Sequence, residues 1–151
     1  MNHEGHDDRE GHEHPVWDKF QMRVASPLSP EAELAMTQTI GCALAVHRAL
    51  GPGFLESIYR KAMCVELESR NIAYECERKI TVNYRGVQID GQRVDLIIEG
   101  LIVVELKAVI SLDDVHSSQL VSYLRTTGLR GGLLINFRVS RLQQGLRRVV
   151  L

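Results

Sequence analysis

Gln92–Lys107 reads QRVDLIIEGLIVVELK, two apolar β-forming runs separated by Glu99-Gly100. Val94, Leu96, Ile97 and Ile98 make the first run and Leu101 to Val104 the second, a pattern that predicts a hairpin near the centre of a sheet. Three charges interrupt it: Asp95, Glu105 and Lys107. Taking an ionised side chain out of water is costly unless it is paired or holds a metal, so these charges call for a reason beyond core packing.

Alternation along a strand puts Glu105 and Lys107 on one face and Val104, Leu106 and Ala108 on the other. Whether Asp95 joins them depends on register. A two-residue loop, Glu99-Gly100, sets Asp95 opposite Val104 and sends Glu105 to the far face. A three-residue loop, Glu99-Gly100-Leu101, or a bulge of equal effect, sets Asp95 opposite Glu105 and is the expectation here.

The remaining composition sets outer bounds. A chain of 151 residues with net charge -1 is long enough for one domain with a real core. Cys42, Cys64 and Cys76 are odd in number and lack CxxC spacing, which argues against a disulfide framework and a zinc knuckle. There is no long apolar span and no basic-then-apolar leader, so a soluble cytoplasmic protein without membrane contact is expected. Residues 1–26 carry His3, His6, His12 and His14 among six acids and read as a disordered leader, with residues 27–151 as the domain. From Val115 onward no Asp or Glu occurs, while Arg125, Arg130, Arg138, Arg141, Arg147 and Arg148 do. Such a stretch is either a phosphate-contacting flank or a solvated surface.

Ser29-Pro30 predicts a helix start, with the helix ending at Gly51-Pro52-Gly53 and a stripe of Leu34, Ile40, Leu44 and Leu50. His47 beside that stripe reads as a packed or hydrogen-bonded histidine at the core edge. A second helix is expected from about 54 to 69, with Leu55, Ile58, Ala62 and Val65 inward and Glu56, Tyr59, Met63 and Glu66 on an adjacent face. Ala73–Tyr84 reads as an outer antiparallel strand, followed by a short strand at Val87–Asp90. Ser111 to Asp114 is a capping-box pattern opening a helix of about 113–127 that Gly128 ends, with Val115, Leu120, Val121 and Leu124 inward. On it Gln119 and Tyr123 lie one turn apart. Gly131–Phe137 is a buried strand and Arg147–Leu151 an edge strand. The order implies an α/β sandwich with a mixed sheet flanked by helices.

Asp95, nine residues, then Glu105-Leu106-Lys107, with an acidic helix before and a helix and strand after, resembles the PD-(D/E)XK nuclease superfamily and its restriction-endonuclease-like core. Gly53-Phe54-Leu55-Glu56-Ser57-Ile58-Tyr59 is similar to the GxxExxY signature that names a family of small bacterial proteins. ELKAV at Glu105–Val109, the Gln119–Tyr123 pair and LLINF at Leu133–Phe137 extend the likeness, which covers about 34–151; Val94 stands where the superfamily often has proline before its aspartate. The resemblance implies a nuclease on DNA, or less readily RNA, with Mg²⁺ or Mn²⁺ held by Asp95, Glu105 and Glu56. It also implies Lys107 for water activation and charge stabilisation, Gln119 and Tyr123 for phosphate contact or for holding Lys107, and pairing of two copies where both strands are cut. Arg125, Arg130, Arg138, Arg147 and Arg148 are the expected nucleic-acid contacts. Two alternatives stay open: Lys107 neutralising Asp95 and Glu105 in a metal-free ion-pair network, and a nuclease-fold module that binds nucleic acid or protein with little or no turnover.

Overall fold

In the computed structural model the described residues are 27–151, so the expected leader over 1–26 lies outside the described residues. Ser29 caps helix α1 (Pro30–Leu50) by accepting the Ala32 N–H at 3.1 Å, with proline in the first turn and Glu31 and Glu33 at the positive end of its dipole. Gly51, at φ 72°, ends it. Helix α2 (Glu56–Ser69) follows after a short loop. Then come β1 (Tyr74–Tyr84), β2 (Val87–Ile98), β3 (Ile102–Lys107), helix α3 (Asp114–Thr127), β4 (Gly131–Asn136), a 3-10 turn over Leu142–Gly145, and β5 (Leu146–Val150).

The five strands lie in the order β1-β2-β3-β4-β5. All neighbours are antiparallel except β3 and β4, which are parallel and joined by the α3 crossover. The sheet is mixed and helix-flanked, as the element order predicts. One face packs Leu96, Ile98, Val104, Leu106, Ile135 and Phe137 against α1 and α2. The other packs Ile97, Val103 and Leu134 against Leu120, Tyr123 and Leu124 of α3. Gly132 lets α3 come close, since a Cβ there would meet the Leu120 side chain at 2.9 Å.

The central hairpin takes the expected register. Ile98 pairs with Ile102, Ile97 with Val103 and Leu96 with Val104, leaving Glu99, Gly100 and Leu101 between the strands. Glu99 and Gly100 adopt φ 54° and 64°, and the Leu101 N–H closes the turn on the Ile98 carbonyl at 2.9 Å. Val87–Asp90 is not a separate strand: it runs straight into the hairpin as β2, with a register shift between Ile80 and Val82 and Gly91 at φ 128°.

Three helical faces differ from expectation. In α1 the buried line is Ala32, Ala35, Met36, Thr39, Cys42, Ala43 and Val46, while Leu34 is exposed and Ile40, Leu44 and Leu50 sit at the margin. In α2 the inward line is Tyr59, Met63 and Leu67, and Leu55, Ile58 and Val65 face solvent. The physical reason is the sheet opposite: Phe137 offers a flat ring on which Tyr59 stacks at 4.3 Å, and that contact sets the rotation of the helix. In α3 Leu120 and Leu124 are buried as expected and Val115 is exposed. The cap of α3 is Asp113 rather than Ser111, with the His116 Nδ1 accepting the Asp113 N–H at 2.9 Å.

Candidate active site

Asp95 and Glu105 come from facing strands where the β2–β3 pairing ends at Leu96 and Val104. Past that point carboxylates join the strands. Glu105 Oε1 accepts the Asp95 N–H at 3.0 Å, and Asp95 Oδ2 accepts the Leu106 N–H at 2.8 Å. Glu105 is 4 % exposed and Asp95 is half-buried. Burial pushes the Glu105 carboxyl up to about 8, and the neighbouring Asp95 charge pushes in the same direction. Two oxygen-rich groups that resist joint ionisation in this way fit a divalent cation, whose charge relieves both penalties, and Mg²⁺ is commonly held by only one or two carboxylates with water completing its shell.

Lys107 follows two residues on from Glu105 and shares its face. Its Nζ donates to Gln119 Oε1 at 3.3 Å, and Gln119 Nε2 donates to the Tyr123 hydroxyl at 2.9 Å. Tyr123 is buried under α3, and burial raises its phenol above the usual range, with the Glu105 charge adding to the effect. The pair one turn apart on α3 is thus a bracket that fixes where the ammonium sits.

Glu56 opens α2 and accepts the Ala108 N–H at 3.4 Å, just past the end of β3. Among the described residues no group of three or more His, Cys, Asp and Glu side chains is assembled to hold a metal ion, so Glu56 is not gathered with Asp95 and Glu105. It lines instead a cavity of about 590 Å³ with Gly53, Phe54, Leu55, Ala108 and Arg138. Tyr59 does not reach Glu56 by any hydrogen bond. Its buried hydroxyl donates to the Gly51 carbonyl and accepts the Phe54 N–H at 3.1 Å, pinning the loop that delivers Glu56. His47 is a core-edge residue, with Nε2 at 2.8 Å from the Val139 carbonyl.

The arginines do not gather on one face. Arg147 and Arg148 are adjacent in β5 and point to opposite sides of the sheet: Arg147 donates to Ser117 Oγ of α3 at 2.8 Å, whereas Arg148 forks onto Glu33 of α1. Arg130 donates to the Leu151 carbonyl at 3.0 and 3.1 Å. Arg125 and Arg141 are exposed, and Arg138 is the one of the six that lines the Glu56 cavity.

Three residues of the site went unread in the sequence. Arg60, one turn after Glu56 on α2, donates to Asp95 Oδ1 at 3.3 Å and pairs with Glu77 Oε1 at 3.3 Å. Its four-residue spacing from Glu56 was the available signal. Glu77 lies in a run of charged residues with nothing to single it out. Asn136, buried at the end of the apolar GGLLIN strand, exchanges hydrogen bonds with both the N–H and the carbonyl of Val109 and accepts the Arg138 N–H. A lone amide in such a run was legible as a brace.

A family model described as the PD-(D/E)XK nuclease superfamily matches residues 33–149. No curated protein matches the chain significantly. A crystal structure, that of SSO0001, is 22% identical with a TM-score of 0.48, and the likeness covers 62% of this chain and 48% of that one.

Proposed function

Since the chain belongs to the PD-(D/E)XK nuclease superfamily, we propose that it is a divalent-metal-dependent nuclease of the GxxExxY branch, hydrolysing phosphodiester bonds of DNA, with RNA as the alternative substrate. The nuclease domain is placed at 27–151, and the family match over 33–149 falls within it. The observation that carries the reading is the buried Glu105 and half-buried Asp95 joined across the strand ends, with Lys107 on the strand face of Glu105 and held by a Gln–Tyr bracket.

Asp95 and Glu105 are the residues to hold Mg²⁺ or Mn²⁺, with the Leu106 carbonyl as a further oxygen. The cation, when bound, supplies Lewis-acid polarisation of the phosphate and a more acidic water. Lys107 stabilises the charge that develops on the phosphate oxygens and orients the attacking water, and Gln119 with Tyr123 keeps its ammonium from swinging away. Glu56, at the cavity wall, is the residue that would hold a water or a second ion. Arg138, which lines the same cavity as Glu56, offers a guanidinium for a phosphate of the same strand.

The test is cleavage of single-stranded DNA, double-stranded DNA and RNA with Mg²⁺ or Mn²⁺ and with chelator, alongside Asp95→Asn and Glu105→Gln. Metal-dependent cleavage lost in both variants is the expected result. Chelator-insensitive cleavage, or equal activity in the variants, overturns the proposal.

One observation favours a second reading, a nuclease-fold module that binds nucleic acid without turnover: Arg60 already neutralises one oxygen of Asp95. Nucleic-acid binding that survives Asp95→Asn, with no cleavage under either metal, selects it.

A further inference from the structure

We propose that Arg60 is a resident counter-cation competing with the metal for Asp95, and that Glu77 is the carboxylate that takes it over when a divalent ion binds. This rests on the reading of Asp95 and Glu105 as the metal-holding pair. Asp95 Oδ2 is committed to the Leu106 N–H, which leaves Oδ1 as the oxygen open to a cation. Arg60 occupies that oxygen: Nη1 lies 3.3 Å from Oδ1, and Nη2 lies 3.3 Å from Glu77 Oε1, so one guanidinium bridges the two acids. A fixed positive charge at that distance repels an incoming divalent ion through a partly screened medium.

Glu77 reaches Arg60 by a local departure from strand geometry. The β1–β2 register runs from Cys76–Leu96 to Arg78–Val94, passing over Glu77 and Asp95, and Glu77 adopts φ 52°. That conformation is uncommon for a residue bearing a Cβ. The side chains of Arg60 and Asp95 are 20% and 18% exposed, and that of Glu77 is 47% exposed. The bridge therefore runs from the site toward solvent. A guanidinium leaving Asp95 moves outward and keeps an acidic partner the whole way.

The test is calorimetric titration of Mg²⁺ into the full chain, using wild type, Arg60→Gln, Glu77→Gln and the double variant, with thermal midpoints recorded in parallel. Mg²⁺ is chosen because histidine-rich tails bind it poorly. Arg60→Gln is expected to tighten Mg²⁺ binding by about 10-fold. Glu77→Gln is expected to weaken it, because the guanidinium then rests on Asp95 alone, and to have no effect once Arg60 is gone. A structural role predicts the reverse for Arg60, weaker binding with a lowered midpoint. Unchanged or weaker binding in Arg60→Gln overturns the inference while leaving the metal seat intact. If Arg60→Gln does not fold, unchanged or tighter binding in Glu77→Gln overturns it just as well. No saturable Mg²⁺ binding in any variant overturns the inference and the metal reading together.

Discussion

Two charged regions of this chain, the β2–β3 hairpin and the β5 strand, meet opposite fates. In β3, Glu105 and Lys107 are two residues apart and share a face, and the three-residue loop brings Asp95 to meet them. In β5, Arg147 and Arg148 are adjacent, so one turns to α3 and the other to α1, each onto a partner. Charge density in the sequence was similar in both. Parity and register decided which charges converge: burial, with the Asp95 charge beside it, raises the Glu105 carboxyl toward neutrality, whereas the diverging arginines are simply satisfied.

The largest effect expected from this contrast lies in the hairpin. Asp95→Asn or Glu105→Gln lowers metal-dependent cleavage by more than ~100-fold, since losing a metal ligand exceeds the cost of losing a partner behind one. Arg147→Ala leaves cleavage at saturating substrate within a few-fold of wild type. Steady-state rates on one substrate check both, and comparable losses would break the distinction.

Next come the residues around Lys107. Lys107→Ala lowers the cleavage rate by roughly 100-fold, the scale of one lost charge stabiliser. Gln119→Ala, which frees the ammonium without removing it, costs about 10-fold, and Gln119→Glu retains more activity than Gln119→Ala. If Gln119→Ala matches Lys107→Ala, the glutamine touches substrate and is not merely a bracket.

A smaller effect concerns stability and pH. Because burial and Asp95 hold the folded Glu105 carboxyl at about 8 against an ordinary 4.5, the folded state keeps a proton that the unfolded state has lost across that interval. The sign follows: the metal-free protein loses stability as pH rises from about 4.5 to about 8 and levels off above it. Glu105→Gln removes that decline. Thermal or denaturant midpoints in chelator check it, and a midpoint rising through the interval would contradict it.

The smallest effects belong to β5. Arg147→Ala and Arg148→Ala each cost about 1 kcal/mol or less of stability and barely alter the salt dependence of nucleic-acid binding, because both guanidinia are already engaged. Arg138→Ala, at the cavity, reduces that salt slope by about one ion. The reverse ranking, read from binding isotherms at several salt concentrations, would return the nucleic-acid face to β5.

How much of this was legible in the sequence follows the same physics. Glu99-Gly100 between apolar runs carried the hairpin, and the need to bring Asp95 to Glu105 selected the correct loop. Ser29-Pro30 and Gly128 marked helix ends through local chemistry. Helix rotation was another matter. In α2 both Leu55-Ile58-Ala62-Val65 and Tyr59-Met63-Leu67 have helical spacing, and only the Phe137 ring, supplied from β4's end by the tertiary fold, chooses between them. Arg60 and Glu77 stayed hidden because their meeting depends on that rotation and on a kink in β1. The five-arginine face was inferred from composition, which does not say which way adjacent strand residues point.

The most direct measurement is Mg²⁺ titration calorimetry of the full chain at pH 7 in buffers of different ionisation enthalpy. A seat made by Asp95 and the protonated Glu105 releases up to about one proton per ion bound below pH 8, with the release fading above it and absent in Glu105→Gln. Mg²⁺ binding that survives Glu105→Gln unchanged, or no binding at all, would mean that the two carboxylates form a structural pair and not a metal seat.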